Sequence, residues 1–172
     1  MGNAYEHRLL VDWPPAGQHV EWGPEAAGFY EFCTRNLELF ARVFVGEPVT
    51  IRWFRSTKLL GQAFRQTGVG AVIRLNSGAG AAELGRVFFH ECGHLATPGH
   101  CKMITPVDPD FGQDDDTTAT EIIACMSEPE RAYFSAQIDK EETEADAYAA
   151  QALAAFEAEF GPFLDVISGR IS

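Results

Sequence analysis

The sequence lacks any continuous apolar segment of the roughly 18–20 residues that a membrane-spanning helix needs, and it is poor in positive charge. Thirteen Lys and Arg stand against 25 Asp and Glu, which gives a net charge of −12. A chain this acidic repels the phosphates of nucleic acids and of anionic lipids. We therefore expect neither a nucleic acid nor a membrane as a partner.

Cysteine is also scarce, and no secretory signal is visible. The four cysteines, Cys33, Cys92, Cys101 and Cys125, contain no C-x-x-C pair and are too few for a disulfide framework in 172 residues. We predict that they are free, buried thiols. The N-terminal segment MGNAYEHRLLVDWPP has no apolar core of the kind that a signal peptide needs, so the expected location is cytoplasmic.

The composition is that of an ordinary globular protein, with 46% hydrophobic and 22% charged residues. Its length is that of one domain, and no internal repeat divides it. We therefore predict a single domain over residues 1–172.

Two hydrophobic periods predict the fold class. Apolar residues recur at steps of three and four in the predicted helices and alternate with polar residues in the predicted strands. The first helix is predicted after Pro24 and before Gly46, the second at about 81–96 and the long one from Ser127 to roughly Phe160, with a short helix or tail at 163–167. The strands are predicted at 49–54 and 71–76, with a further short strand possible near Phe64. This mixture predicts an α+β fold with a small mixed sheet.

Capping-box patterns mark two helix starts in the second half of the chain. Thr118 with Glu121, and Ser127 with Glu130, each follow the pattern S/T-x-x-E. The second pattern begins the long predicted helix. The segment at 105–117, which has five Asp and two Pro, is predicted to be a solvated loop.

The motif that carries chemistry is His90-Glu91-Cys92-Gly93-His94, an H-E-x-x-H sequence inside a predicted helix. Residues four apart on a helix lie about 40° apart in projection and about 6 Å apart along the axis, so both imidazoles can turn toward one point. Neutral imidazole binds Zn²⁺, and a glutamate beside the first His can act as general base. We predict His90 and His94 as metal ligands and Glu91 as the catalytic base.

A catalytic zinc site needs a third protein ligand, and the sequence offers three candidates. His100 completes the metzincin spacing, although Thr97 and Pro98 stand where a glycine turn belongs. Glu121 is already explained by its capping role. The third candidate is an acidic cluster in the long helix, which consists of Glu141, Glu142, Glu144 and Asp146.

Helical periodicity selects one member of this cluster. Relative to Ala145 in the apolar stripe, Glu142 lies at about +60° and Glu141 at about −40°. Glu144, at about −100°, faces away. Only Glu142 is followed one turn later by a second carboxylate, Asp146, and this pairing suits a metal ligand and a residue that orients an imidazole. We predict Glu142 as the third ligand.

The combination His90-Glu91-x-x-His94 and Glu142-x-x-Ala145-Asp146 resembles the gluzincin arrangement of zinc metallopeptidases. Within that clan, the segments AVIRLNSGAGAAELGRVFFHECGHLA and ETEADAYAAQAL are most similar to the ImmA/IrrE-type metallopeptidase domain. The resemblance covers about residues 71–155. It implies a zincin-like domain in which an HExxH helix and a long acidic helix supply the ligands.

These observations predict a zinc metallopeptidase that cleaves a protein or peptide substrate, with a regulatory protein considered as a further partner. His90, His94 and Glu142 hold Zn²⁺, and Glu91 takes the proton of the metal-activated water. One alternative is a catalytically silent, zincin-like binding or regulatory module, against which the intact Glu91 argues. Another is a metzincin-type protease in which His100 is the third ligand.

Two expectations concern the substrate. His100, Tyr133 and Tyr148 are candidates for stabilising the tetrahedral oxyanion, and periodicity does not choose among them. The strand at 71–76 precedes the HExxH helix by a Gly-rich linker. We predict that it forms the sheet edge at the rim of the cleft, where an extended peptide can add as a further strand.

Overall fold

The computed structural model describes residues 24–54, 59–77, 79, 81–101, 103–104 and 125–169. The elements are α1 Pro24–Val45, β1 Val49–Phe54, β2 Gly61–Gln66, β3 Gly70–Asn76, α2 Ala81–Ala96, β4 Met103–Ile104, α3 Glu128–Phe160 and α4 Phe163–Ile167. They confirm the α+β class and the predicted helices and strands, including the short strand near Phe64, whereas β4 was not predicted. The loop predicted at 105–117, the helix predicted at Thr118 and the candidate ligand Glu121 lie outside the described residues.

The sheet is small and mixed, with strand order β1-β3-β2-β4. β3 runs parallel to β1, with Val49 opposite Ala71, and antiparallel to β2, with Phe64 opposite Val72. β3 is therefore an interior strand, and the prediction that residues 71–76 form the sheet edge is wrong. Both faces of β3 are covered as well, which is why the strand is apolar almost throughout. Ala71, Val72, Ile73 and Leu75 are all buried.

An aromatic cluster fixes α2 between the sheet and α3. Phe88 and Phe89 are fully buried on α2, with ring centroids 5.0 Å apart. The Phe89 ring lies 5.6 Å from Phe156 of α3 and 5.6 Å from Phe163 of α4. Large aromatic side chains dominate the energetics of a small core. Their packing holds the helix that carries the HExxH motif against its neighbours.

Two glycines of α2 let α3 and α4 approach closely. A Cβ on Gly85 would lie 3.1 Å from the Phe163 ring and 3.2 Å from Leu153, and a Cβ on Gly93 would lie 3.1 Å from the Tyr148 ring. Glycine inside a helix costs about 1 kcal/mol relative to alanine. The close packing that it permits here brings the acidic part of α3 beside the histidines of α2.

Helix α3 begins and ends as predicted. The Ser127 backbone N–H donates to Glu130 Oε2 at 2.8 Å, and Gly161 ends the helix with a φ of 97°. Ala145, Ala149, Ala152 and Phe156 form its buried stripe. Helical spacing would extend this stripe to Ile138 and Phe134, but these side chains are 46% and 39% exposed. The buried face is therefore confined to the C-terminal part of α3.

All four cysteines are free, as predicted. Cys33 and Cys92 are buried, Cys101 is half-buried and Cys125 is exposed, so the predicted burial is correct for two of them. Among the described helices, none combines the length and the hydropathy that crossing a membrane requires.

Candidate metal centre

Three side chains from two helices converge on one point. His90 and His94 lie one turn apart on α2, and their Nε2 atoms are 3.0 Å apart. Glu142 reaches across from α3, with Oε2 at 3.1 Å from His90 Nε2 and Oε1 at 3.4 Å from His94 Nε2. One ligand atom from each residue lies within 4.8 Å of the others, so this group could hold a metal ion. Two imidazoles and one carboxylate form a donor set that suits zinc.

Asp146 fixes the orientation of the first imidazole. His90 Nδ1 lies 2.9 Å from Asp146 Oδ1, and Arg86 Nη1 lies 3.3 Å from the same oxygen. An ionised carboxylate only accepts hydrogen bonds, so Nδ1 carries the proton and the Nε2 lone pair of His90 faces His94 and Glu142. This is the contact that the spacing of Glu142 and Asp146 predicted.

The environment of the second imidazole favours its neutral form. The His94 side chain is only 13% exposed. Burial, and then the neighbouring His90, lower the pKa of His94, against the opposite effect of Glu142. A metal ligand must offer an unprotonated nitrogen, so a lowered pKa reduces the competition between protons and a metal at this position.

Glu91 is the buried carboxylate beside this group, and it is 6% exposed. Burial, and then the charge of Glu142, raise the pKa of Glu91 to about 8 in the metal-free chain. Gly61 of β2 makes room for it, because a Cβ at Gly61 would lie 2.6 Å from Glu91 Oε1. Sequence reasoning missed Gly61, although a glycine inside a strand is a recognised sign of close approach.

The convergent group opens onto a cavity of about 550 Å³ between β2, α2 and α3. Leu59 and Leu60, which precede β2, form part of its rim. Asn76 at the end of β3 holds both, since its Nδ2 donates to the Leu59 carbonyl at 2.6 Å and its backbone N–H to the Leu60 carbonyl at 2.9 Å. The buried Asn76 therefore shapes the entrance of the cleft.

The strand that borders the cavity is β2. Gly61, Gln62 and Ala63 line it. β4 pairs only with Arg65 and Gln66, so no described strand covers residues 61–63 on the side away from β3. The unpaired strand edge beside the cavity, which was expected at residues 71–76, is therefore the first half of β2, the strand next to β3.

His100 lies in the cavity wall but outside the convergent group. Its ring centroid is 5.6 Å from that of His94, and its Nε2 is 3.0 Å from Glu144 Oε2. The geometry therefore favours Glu142 over His100 as third ligand. Helical periodicity placed Glu144 on the side of α3 that faces away from the site. In the structure its carboxylate instead contacts His100, which lines the cavity.

The three candidate oxyanion donors differ in their exposure and in their position relative to the cavity. Tyr133 is 69% exposed, and the Tyr148 hydroxyl donates to the Phe44 carbonyl at 3.2 Å. Burial raises the pKa of Tyr148 to about 12, with a smaller contribution from Cys92. Of the three, His100 is the residue that lines the cavity.

Comparisons with known proteins add no further information about this site. The chain matches no protein-family model, no curated protein and no solved structure. What the site can do is therefore inferred from its residues: His90, His94 and Glu142 as a metal-binding group, and Glu91 as a buried carboxylate next to it. A fold alone would not establish an activity in any case.

Proposed function

We propose that this protein is a zinc-dependent peptide hydrolase of the zincin type. The observation that carries the proposal is the convergence of His90, His94 and Glu142 on one face of a cavity that also contains Glu91. The gluzincin clan, the ImmA/IrrE-type resemblance and a cytoplasmic location belong to the same proposal.

The donor set supports zinc as the metal. Two neutral imidazoles and one carboxylate leave a fourth position open, as catalytic zinc sites do. When bound, zinc acts as a Lewis acid that polarises a carbonyl and acidifies water. The His90–Asp146 contact supports this interpretation, because a liganding histidine is normally oriented by a carboxylate through its other nitrogen.

Glu91 is the residue that moves protons in this proposal. It accepts a proton from the attacking water and passes it to the amine of the leaving fragment. Its buried position against Gly61 restricts the carboxylate to the cavity side of α2. A site that only stabilised the fold would have no use for a buried carboxylate beside its ligands, since burying a charge is costly.

The exposed edge of β2 supports a peptide as substrate. Residues 61–63 border the cavity without a described neighbouring strand. An extended peptide can pair with such an edge through its main chain, while the cavity selects its side chains. The substrate then lies alongside His90 and Glu91.

The test measures zinc content and peptide cleavage on the full chain. We expect close to one zinc per chain, loss of zinc in His90→Ala and His94→Ala, and zinc-dependent cleavage of a peptide library. Glu91→Gln is expected to retain zinc and lose activity, because the base is not a ligand. Glu159→Gln, which changes an exposed carboxylate on α3, serves as the matched control.

The identity of the third ligand is tested with the same measurement. Glu142→Ala should weaken zinc binding far more than Glu141→Ala or His100→Ala, and Asp146→Asn should weaken it about 10–100-fold. Greater loss in His100→Ala would indicate the metzincin arrangement. Stoichiometric zinc without any cleavage would indicate a catalytically silent module.

A further inference from the structure

Asn76, the last residue of β3, joins two parts of the site without belonging to the described lining of the cavity. Its side chain is buried, and Nδ2 donates to the Leu59 carbonyl at 2.6 Å. Its backbone N–H donates to the Leu60 carbonyl at 2.9 Å, and its own carbonyl accepts from the Ala79 N–H at 3.0 Å. Asn76 therefore connects the rim of the cavity to the linker that precedes the HExxH helix.

Ser77 makes a matching contact on the other side of the connection between β1 and β2. This buried residue donates its backbone N–H to the Phe54 carbonyl at 2.9 Å and its hydroxyl to the same carbonyl at 3.2 Å. Phe54 is the last residue of β1, whereas Leu59 precedes β2 by two residues. Asn76 and Ser77 thus hold the two ends of one connection. Only the Leu59 end belongs to the described cavity lining.

The bonds at Leu59 and Leu60 bear on substrate binding because β2 begins directly after them. Gly61 is the first residue of β2 and packs against Glu91. Residues 61–63 form the edge that is proposed to pair with the main chain of a peptide. A strand edge that is already fixed loses less conformational freedom when a peptide binds to it. The bond from the Asn76 amide therefore helps to prepare this edge for the substrate.

The contribution of the Asn76 side chain is separable from that of its backbone. A substitution at this position removes the bond to Leu59, whereas the backbone bonds to Leu60 and Ala79 remain possible. We infer that Asn76 is a positioning residue for the peptide substrate, whose side-chain amide holds Leu59 and the start of β2 in the arrangement that receives the peptide. The inference rests on the proposed function. Because these bonds run to the rim and the linker, we expect KM to depend on them and zinc binding not to.

The test compares Asn76→Ala with the unsubstituted, zinc-loaded full chain on one ten-residue peptide that the chain cleaves. We expect KM to rise about 3–10-fold, which is the range that one hydrogen bond of ordinary strength covers. We expect kcat to stay within about twofold, because Glu91 and the zinc ligands keep their positions. Zinc content and the melting temperature are measured alongside.

Ser77→Ala is the matched control. It removes one side-chain bond to a carbonyl from the adjacent buried residue, but at the end of the connection that does not line the cavity. Both alanine variants should lose similar stability, and only Asn76→Ala should raise KM. Asn76→Asp keeps the shape of the side chain, but an ionised carboxylate donates no hydrogen bond, so its KM should rise at least as much as in Asn76→Ala. If the buried carboxylate prevents folding, Asn76→Ala still decides.

Hydrogen exchange on the full chain provides a second measurement that does not depend on cleavage. Asn76→Ala should speed amide exchange at residues 59–63, and Ser77→Ala should not. An unchanged KM in Asn76→Ala, an equal rise in both alanine variants, or equal exchange at residues 59–63 would overturn the inference.

If the unsubstituted chain cleaves no peptide, the proposed hydrolase function has failed, and calorimetry of the same peptide with the zinc-loaded chain decides the inference. Weaker peptide binding by Asn76→Ala than by Ser77→Ala supports a positioning role, and equal binding overturns it.

Discussion

Replacement of Gly61 by alanine is a severe test of the site because it adds one methyl group next to the proposed base. The new Cβ would lie 2.6 Å from Glu91 Oε1, 2.7 Å from Val87 Cγ1 and 2.9 Å from Glu91 Cγ. All three distances are shorter than a Cβ atom accepts in a folded protein. Val87 Cγ1 and Glu91 Cγ cannot move away as easily as a carboxylate oxygen at the end of a flexible side chain. Gly61 does not have a positive φ, so alanine brings no backbone strain of its own.

The size of the effect follows from the displacement required. Ordinary contacts begin near 3.4 Å, so the Glu91 carboxylate must move by roughly 0.5–1 Å. A misplacement of about 1 Å in a catalytic group costs about 100-fold in rate. Overpacking adds about 1–3 kcal/mol of destabilisation. We therefore expect a fall in kcat of about 10–100-fold and a melting temperature a few degrees lower.

Three measurements separate this effect from unfolding: kcat on a cleaved peptide, zinc content and thermal unfolding. Zinc content should stay close to that of the unsubstituted chain, because the atoms nearest to the new methyl group belong to Glu91 and Val87 and not to a ligand. Gln66→Ala, at the other end of the same strand and outside the cavity lining, should leave kcat nearly unchanged. Wild-type kcat and stability in Gly61→Ala would refute the packing of Glu91 against β2.

Two further predictions concern the helix contact and the base. Gly93→Ala places a methyl group 3.1 Å from the Tyr148 ring. We expect nearly unchanged stability, because alanine favours the helix, but up to about tenfold weaker zinc binding in a chelator titration. Unchanged zinc affinity would contradict the argument that Gly93 lets α2 and α3 approach closely. In the metal-free chain, the Glu91 pKa of about 8 exceeds its ordinary value of 4.5. Between pH 4.5 and pH 8 the folded state therefore keeps a proton that the unfolded state releases. The free energy of unfolding falls as the pH rises through this range. Glu91→Gln should therefore raise the melting temperature increasingly from pH 5 to pH 8, and a gain independent of pH would show that Glu91 is not buried as described.

The positions of the helices and strands were predictable from the sequence, whereas the neighbours of each strand were not. Periodicity at residues 49–54 and 71–76 specifies strands because side chains alternate between the two faces. It does not say which strand lies at an edge. That choice depends on β2, whose sequence GQAFRQ has little apolar alternation and was anticipated only as a short strand near Phe64.

The centre of the site was predictable because it depends on short-range helix geometry. The i, i+4 spacing of His90 and His94, and of Glu142 and Asp146, places each pair on one helix face. Contacts between elements distant in the sequence were not predictable in this way. Gly61 against Glu91, and Glu144 against His100, depend on how β2 and α3 pack around α2.

The most direct test of the central claim is a crystal structure of the full chain with added zinc, with anomalous diffraction measured on both sides of the zinc absorption edge. The account predicts one strong peak at about 2.0–2.2 Å from His90 Nε2, His94 Nε2 and a Glu142 oxygen, with Glu91 beside it but not bound. A peak coordinated by His100 in place of Glu142, or the absence of a peak at His90 and His94, would contradict it.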